Sequence, residues 1–151
     1  MHDPHTTPEP LLVLTGMLYL IPAWIGWESG FHPSALSSLF LAFTSMSFHW
    51  FRTDWLFYLD VIAIFIYSLF GLHSSYKAGV ASNALYVFVI GYAVFVYIIG
   101  QQHSILAFDP EWNTQQFFHG LIHVFCCYAF VHSYQKRLEN GEGVCTLELP
   151  T

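Results

Sequence analysis

An all-α, polytopic membrane helix bundle with five transmembrane helices is the fold class this sequence predicts, and three observations predict it. Of the 151 residues, 55% are hydrophobic and only 9% are charged, whereas ordinary soluble domains carry ~25% charged residues. The apolar residues gather into runs of roughly 17 to 22, enough at about 1.5 Å rise per residue to cross the hydrocarbon of a bilayer. Those runs show no strict alternation, which argues against barrel strands. Residues 1–151 read as a single integral membrane domain, with no internal repeat, low-complexity tract or second domain.

The first predicted helix covers 11–27, bounded by Glu9 and Glu28. The "MHDPHTTPEP" before it lacks the basic stretch of a cleaved signal peptide, so this helix is expected to be retained. The second covers 34–51, starting after "HPS", with no charge between Glu28 and Arg52. The third covers 55–72 with Asp54 as its expected N-cap. The fourth covers 80–100 and the fifth 114–134, leaving 135–151 as a polar C-terminal tail. The segment "QQHSILAFDPEWNTQ" is expected to be a loop, with Trp112 as an interfacial anchor.

Charge narrows the partners. Four Lys/Arg against ten Asp/Glu argue against nucleic acid, which needs a basic surface to neutralise its phosphates. With the N-terminus outside, Lys77, Lys136 and Arg137 fall inside and only Arg52 outside, so the positive-inside rule favours N-out, C-in. Three cysteines, with Cys126 and Cys127 adjacent on an apolar run, do not make a disulfide framework and read as packing residues.

Ionisable groups inside membrane helices are expensive, so each one is informative. Asp60 lies in "WLFYLDVIAIF", near the start of the third helix. His49 ends the second helix in "TSMSFHWF", and His119 and His123 begin the fifth in "FFHGLIHVF". Helix parity brings all four to one side of the membrane at similar depth. Residues four apart lie about 40° apart around a helix and about 6 Å along it, so His119 and His123 can reach one metal. The zinc-protease pattern H-E-x-x-H has the same spacing with a built-in glutamate base, but here Gly-Leu-Ile intervenes. A third ligand and a base must then come from other helices, and His49 and Asp60 are placed for those roles. Ser45, four before His49, points to the same face. Three neutral imidazoles with one open position is the catalytic arrangement of zinc.

Blander roles exist for each residue singly, because a histidine in a membrane helix is often only a hydrogen-bonding link between helices. Three histidines and an aspartate at one depth argue against that. His32, His73 and His103 fall at expected helix ends or loops, and His2 and His5 in an acidic tail. His132 is about 14 Å from His123 along a helix, too far to share a metal.

"SMSFH" (Ser45, His49), Asp60 eleven residues later and "HGLIH" in the last helix resemble the signature of the CREST membrane hydrolase superfamily. That group includes the alkaline ceramidases, the progestin and adipoQ receptors and the hemolysin III-like proteins. The short His-to-Asp interval looks most like the ceramidase branch. The resemblance implies Zn²⁺ held by His49, His119 and His123, a water positioned by Asp60, and Ser45 stabilising the oxyanion or holding the water. The activity it implies is hydrolysis of an amide in a ceramide-like lipid substrate. The family has seven helices and this chain is expected to have five. Losing an adjacent pair keeps the last helix running the right way, and a homo-oligomer could supply missing cavity walls. No counterpart of the acidic, Trp-containing N-terminal stretch tied to calcium is found, so calcium is not expected. Two other classes compete: a b-type haem protein using His49, His119 or His132, and a zinc-stabilised receptor or scaffold without catalysis.

Overall fold

The computed structural model describes residues 8–143, and every regular element among them is helical. His2, His5 and the end of the predicted polar tail, 144–151, lie outside the described residues. Five helices follow one another: α1 Pro10–Glu28, α2 His32–Phe51, α3 Asp54–Ala78, α4 Val80–His103 and α5 Trp112–Glu139. Three of them, α1, α3 and α4, are long and apolar enough to cross a membrane.

Each helix exceeds its expected bounds at one end or both. Asp54 is not an N-cap: Thr53 holds that position with extended backbone, and Asp54 is the first helical residue. An acidic side chain is still favourable there, beside the positive end of the helix dipole. The expected loop before the last helix is shorter than "QQHSILAFDPEWNTQ" and contains a 3-10 turn at Leu106–Phe108. Trp112 opens α5, where Glu111 accepts hydrogen bonds from the Asn113 and Thr114 backbone amides. With the Thr114 hydroxyl added, these bonds hold the Glu111 carboxyl below its ordinary pKa.

A 3-10 turn, Met17–Tyr19, interrupts α1. Pro22 explains it, since its nitrogen cannot donate to Leu18 four residues back and its ring crowds that carbonyl. The thiol of Cys127 on α5 donates to the Leu18 carbonyl instead, at 3.3 Å. Cys127 is thus a linking residue as well as a packing one, and both it and Cys126 are free thiols.

In packing order, α1, α2, α3, α4 and α5 form a ring that α5 closes onto α1, with α3 also touching α5. Small hydroxylated residues let α2 sit close to its neighbours: Ser34, Ser37, Ser38, Thr44 and Ser45 are all buried. Ser37 and Ser38 satisfy their hydroxyls on the Ser34 carbonyl, so burying them leaves no donor stranded. Between the helices lies an aromatic core in which Tyr67 stacks on Phe130 at 4.4 Å and Phe130 meets Tyr134 edge-on at 5.1 Å. Large apolar side chains such as Trp24, Phe43, Trp55, Phe65 and Phe88 face outward. A surface of that kind is suited to lipid rather than water.

Candidate metal centre

Two helices deliver the three histidines. His49 sits in the last turn of α2, and His119 and His123 occupy successive turns near the start of α5. One nitrogen from each lies within 4.8 Å of the other two. The ring centroids are 4.9 Å apart for His49–His119, 5.7 Å for His49–His123 and 5.1 Å for His119–His123. The three form a possible metal-binding site, and the convergence expected from helix parity is present.

What surrounds the rings decides whether they suit a metal. Nδ1 of His49 lies 2.7 Å from Oε2 of Glu9, both residues being 1% exposed. Donation from Nδ1 to the carboxylate fixes the tautomer and leaves the Nε2 lone pair free. That Nε2 is buried with no hydrogen-bond partner among the described residues. A metal ligand whose second nitrogen is held by a carboxylate has this disposition, so His49 fits. His123 repeats the pattern, with Nδ1 3.0 Å from the Thr15 hydroxyl on α1. The Thr15 hydroxyl also lies 3.3 Å from the Leu12 carbonyl, to which it donates, so it accepts from His123 and again leaves Nε2 open. His119 differs: its Nε2 is 3.1 Å from the Tyr97 hydroxyl on α4. Tyr97 therefore stands beside the position a shared metal would take.

Glu9 also pairs with Arg52 at 2.6 Å, and the Glu9 backbone amide donates to the His49 carbonyl at 2.8 Å. Arg52 reaches Glu9 because it turns the chain out of α2 in the left-handed region, φ 52°. This charge-assisted cluster ties the start of α1 to the end of α2.

Asp60 is buried on α3 and accepts a 2.9 Å hydrogen bond from the Thr44 hydroxyl on α2. Together with Ser45, Tyr97, His119 and His123 it lines one cavity of about 390 Å³. The Ser45 hydroxyl is buried without a partner among the described residues. Four of the five residues singled out in the sequence thus line one space, and the fifth, His49, packs against two of them, His119 and His123. His132 stands apart and stacks on Tyr128 at 6.1 Å.

Glu9, Thr15, Thr44, Arg52 and Tyr97 were not anticipated as parts of the site. Only Glu9 left a signal in the sequence. It is a carboxylate at the head of the first span, and the same helix parity places it at the depth of His49. Arg52 read only as a charge just beyond the second helix, and Thr15, Thr44 and Tyr97 are common residue types on apolar helices, indistinguishable from packing residues until their neighbours are known. Comparison with protein-family models, curated proteins and solved structures finds no match for this chain.

Proposed function

We propose that the chain is a zinc-dependent intramembrane hydrolase that cleaves an amide bond in a lipid, in the manner of a ceramidase. The observation that carries this reading is the His49, His119 and His123 cluster with its Glu9 and Thr15 supports, two of whose rings, His119 and His123, share one cavity with Asp60. All-nitrogen, three-imidazole sites suit Zn²⁺ and leave the open position that catalysis needs. The compactness of the cluster favours one small ion over haem, whose two axial histidines must stand on opposite faces of a wide ring.

In this reading all five helices span the membrane, N-out and C-in. Besides the three apolar helices, α2 has 20 residues and α5 has 28, about 30 and 42 Å at 1.5 Å per residue. Their polar residues, which lower their hydropathy, are in large part those facing the cavity and the helix contacts.

Zinc, when bound, would supply Lewis acidity toward the amide carbonyl. The chain's residues do the rest. Asp60, with one oxygen held by Thr44, keeps the other for the attacking water and takes its proton. As the water oxygen bonds to the carbonyl carbon, the Tyr97 and Ser45 hydroxyls are placed to donate to the developing oxyanion. The C–N bond then breaks and Asp60 returns its proton to the leaving nitrogen, giving a fatty acid and an amine. Glu9 holds His49 in the tautomer that leaves Nε2 free.

Metal analysis of the purified protein, with mass spectrometry of lipid amides before and after incubation, tests the reading. His119→Ala is expected to lose both zinc and turnover. Asp60→Asn is expected to keep zinc and lose on the order of 10²- to 10⁴-fold in turnover, the usual contribution of a general base. A Soret band without zinc would replace this reading with the haem one. Zinc with undiminished function in Asp60→Asn would replace it with the scaffold.

A further inference from the structure

The face of α5 turned away from the bundle carries Phe117, Leu121, Val124, Tyr128, His132 and Gln135, none of them fully buried. At about 100° per residue these positions fall within an arc of roughly 80°. Contacts with other helices fix their depth. At the histidine end, the Leu11 amide at the head of α1 donates to the Gln116 side chain at 3.2 Å. At the opposite end, Arg137 lies over Phe31 in the turn between α1 and α2, 4.0 Å from the ring centroid. Gln116 and Arg137 are 21 residues apart, about 31 Å of helix, which matches a hydrocarbon core of ~30 Å. On that scale Tyr128 stands about 2 Å from the middle of the core and His132 about 8 Å.

Two polar side chains thus point into hydrocarbon. Tyr128 is 60% exposed and His132 half-buried. Their rings stack on each other, but among the described residues neither the hydroxyl nor the imidazole has a hydrogen-bond partner. Snorkelling does not relieve them. Cα–Cβ bonds on a helix tilt toward its N-terminus, and the nearer membrane surface lies toward the C-terminus, so both side chains lean to the centre of the core. A polar group left unpaired there is costly, and a hydrogen bond to another helix is the usual relief.

We infer that α5 is the seam of a parallel homodimer, in which Tyr128 and His132 pair with the same two residues of a second copy inside the membrane. Copies inserted in one orientation are related by an axis along the membrane normal, so each residue meets its own counterpart at its own depth. Such a seam demands side chains that both donate and accept. A hydroxyl and an uncharged imidazole do so, whereas a lysine or an aspartate would repel its twin. An unrelated partner would impose no such requirement, which is why the occupant is a second copy. Phe117, Leu121 and Val124, four and three residues apart, continue the seam with the spacing of two facing helices. With Leu14 and Ile21 exposed on the adjoining α1, the face is about 20 Å wide and 30 Å long. That is on the order of 1,200 Å² over two copies, the lower end of the range for stable interfaces. The seam lies on the side of α5 opposite His123, so the metal centre stays free. The inference rests on α5 spanning the membrane, which is part of the proposed function, and not on zinc or hydrolysis.

The test uses the full chain in liposomes at low protein-to-lipid ratio, with dimers read by energy transfer between donor- and acceptor-tagged copies. Tyr128→Phe combined with His132→Leu is expected to weaken dimerisation about tenfold, the scale of two interhelical hydrogen bonds in a bilayer. Zinc content should not change. His132→Gln, which keeps a donor and an acceptor, should dimerise like the parent. Undiminished association in the double variant overturns the seam. Oxidative cross-linking reads it a second way. Val124→Cys is expected to form an intermolecular disulfide above the parent background. Phe65→Cys is the control, exposed on α3 at similar depth, two residues from the Tyr67 that bonds to the Cys126 carbonyl, and it should not cross-link. Equal cross-linking at the two positions is random collision and overturns the dimer, as does none at either. A dimer without zinc or turnover leaves the seam standing and removes the hydrolase. An active monomer does the reverse.

Discussion

Among single residues, Glu9 has the largest consequence for its size. It is a buried carboxylate joined to both His49 and Arg52, and its effect on the centre is through His49. Supports of this kind usually change metal affinity 10- to 100-fold. Glu9→Gln keeps the shape and removes the charge, so zinc affinity measured by chelator competition is expected to fall by about that factor. An unchanged affinity would reject its positioning role. Tyr97 is predicted to act differently. Tyr97→Phe should retain zinc and lower kcat on the order of 100-fold, as loss of one oxyanion donor does. A change confined to KM would place Tyr97 in binding instead.

Helices in this chain are positioned by close approach of backbones more than by propensity. The α3–α4 hairpin depends on the match between Gly71 and Tyr86, whose ring fills the space a Cβ on Gly71 would take, so Gly71→Ala forces the ring out of its notch. Overpacking of this kind costs roughly 1–3 kcal/mol, to be read as a lowered unfolding midpoint in detergent. Tyr86→Ala should make the second change cheaper, and the double variant should be less destabilised than the sum of the singles, since residues in contact do not add. A strictly additive result would show that the notch does not couple them. The break in α1 follows the same logic, because the carbonyl that Pro22 frees is satisfied from α5 and the 3-10 turn ends on a buried Tyr19. Tyr19 then meets Tyr67 at 5.2 Å and His123 at 5.4 Å.

For the molecule as a whole, the expected N-out topology puts 52–54 and 104–111 on one side and 29–31 and Gly79 on the other. Ser104→Cys is therefore expected to react with a membrane-impermeant maleimide from outside in intact cells, above the background of the parent protein, and Lys77→Cys, exposed beside Gly79, only after lysis. The opposite pattern would invert the bundle. Metal should also bind the fold as a unit, because its ligands come from α2 and α5 and their supports from α1. At zinc concentrations about a thousandfold above Kd, binding stabilises by about 4 kcal/mol. Chelation should lower the thermal midpoint of the parent and leave His119→Ala unmoved.

Composition and run length alone determined that the chain is helical and apolar, because each membrane helix must satisfy its own backbone. Four-residue spacing and helix parity were enough to bring His49, Asp60, His119 and His123 to one depth. Tertiary structure decided the rest. Thr15 and Tyr97 became part of the centre only through the packing of α1 and α4 against α5, which no local signature fixes. Glu9 could be placed at the right depth by parity, but whether its carboxylate met His49 or the solvent depended on how α1 packs against α2. A ligand's spacing is a property of one helix, written locally. Its supports and its cavity are properties of pairs of helices, fixed only when close-packed side chains such as Tyr86 and Gly71 choose their partners.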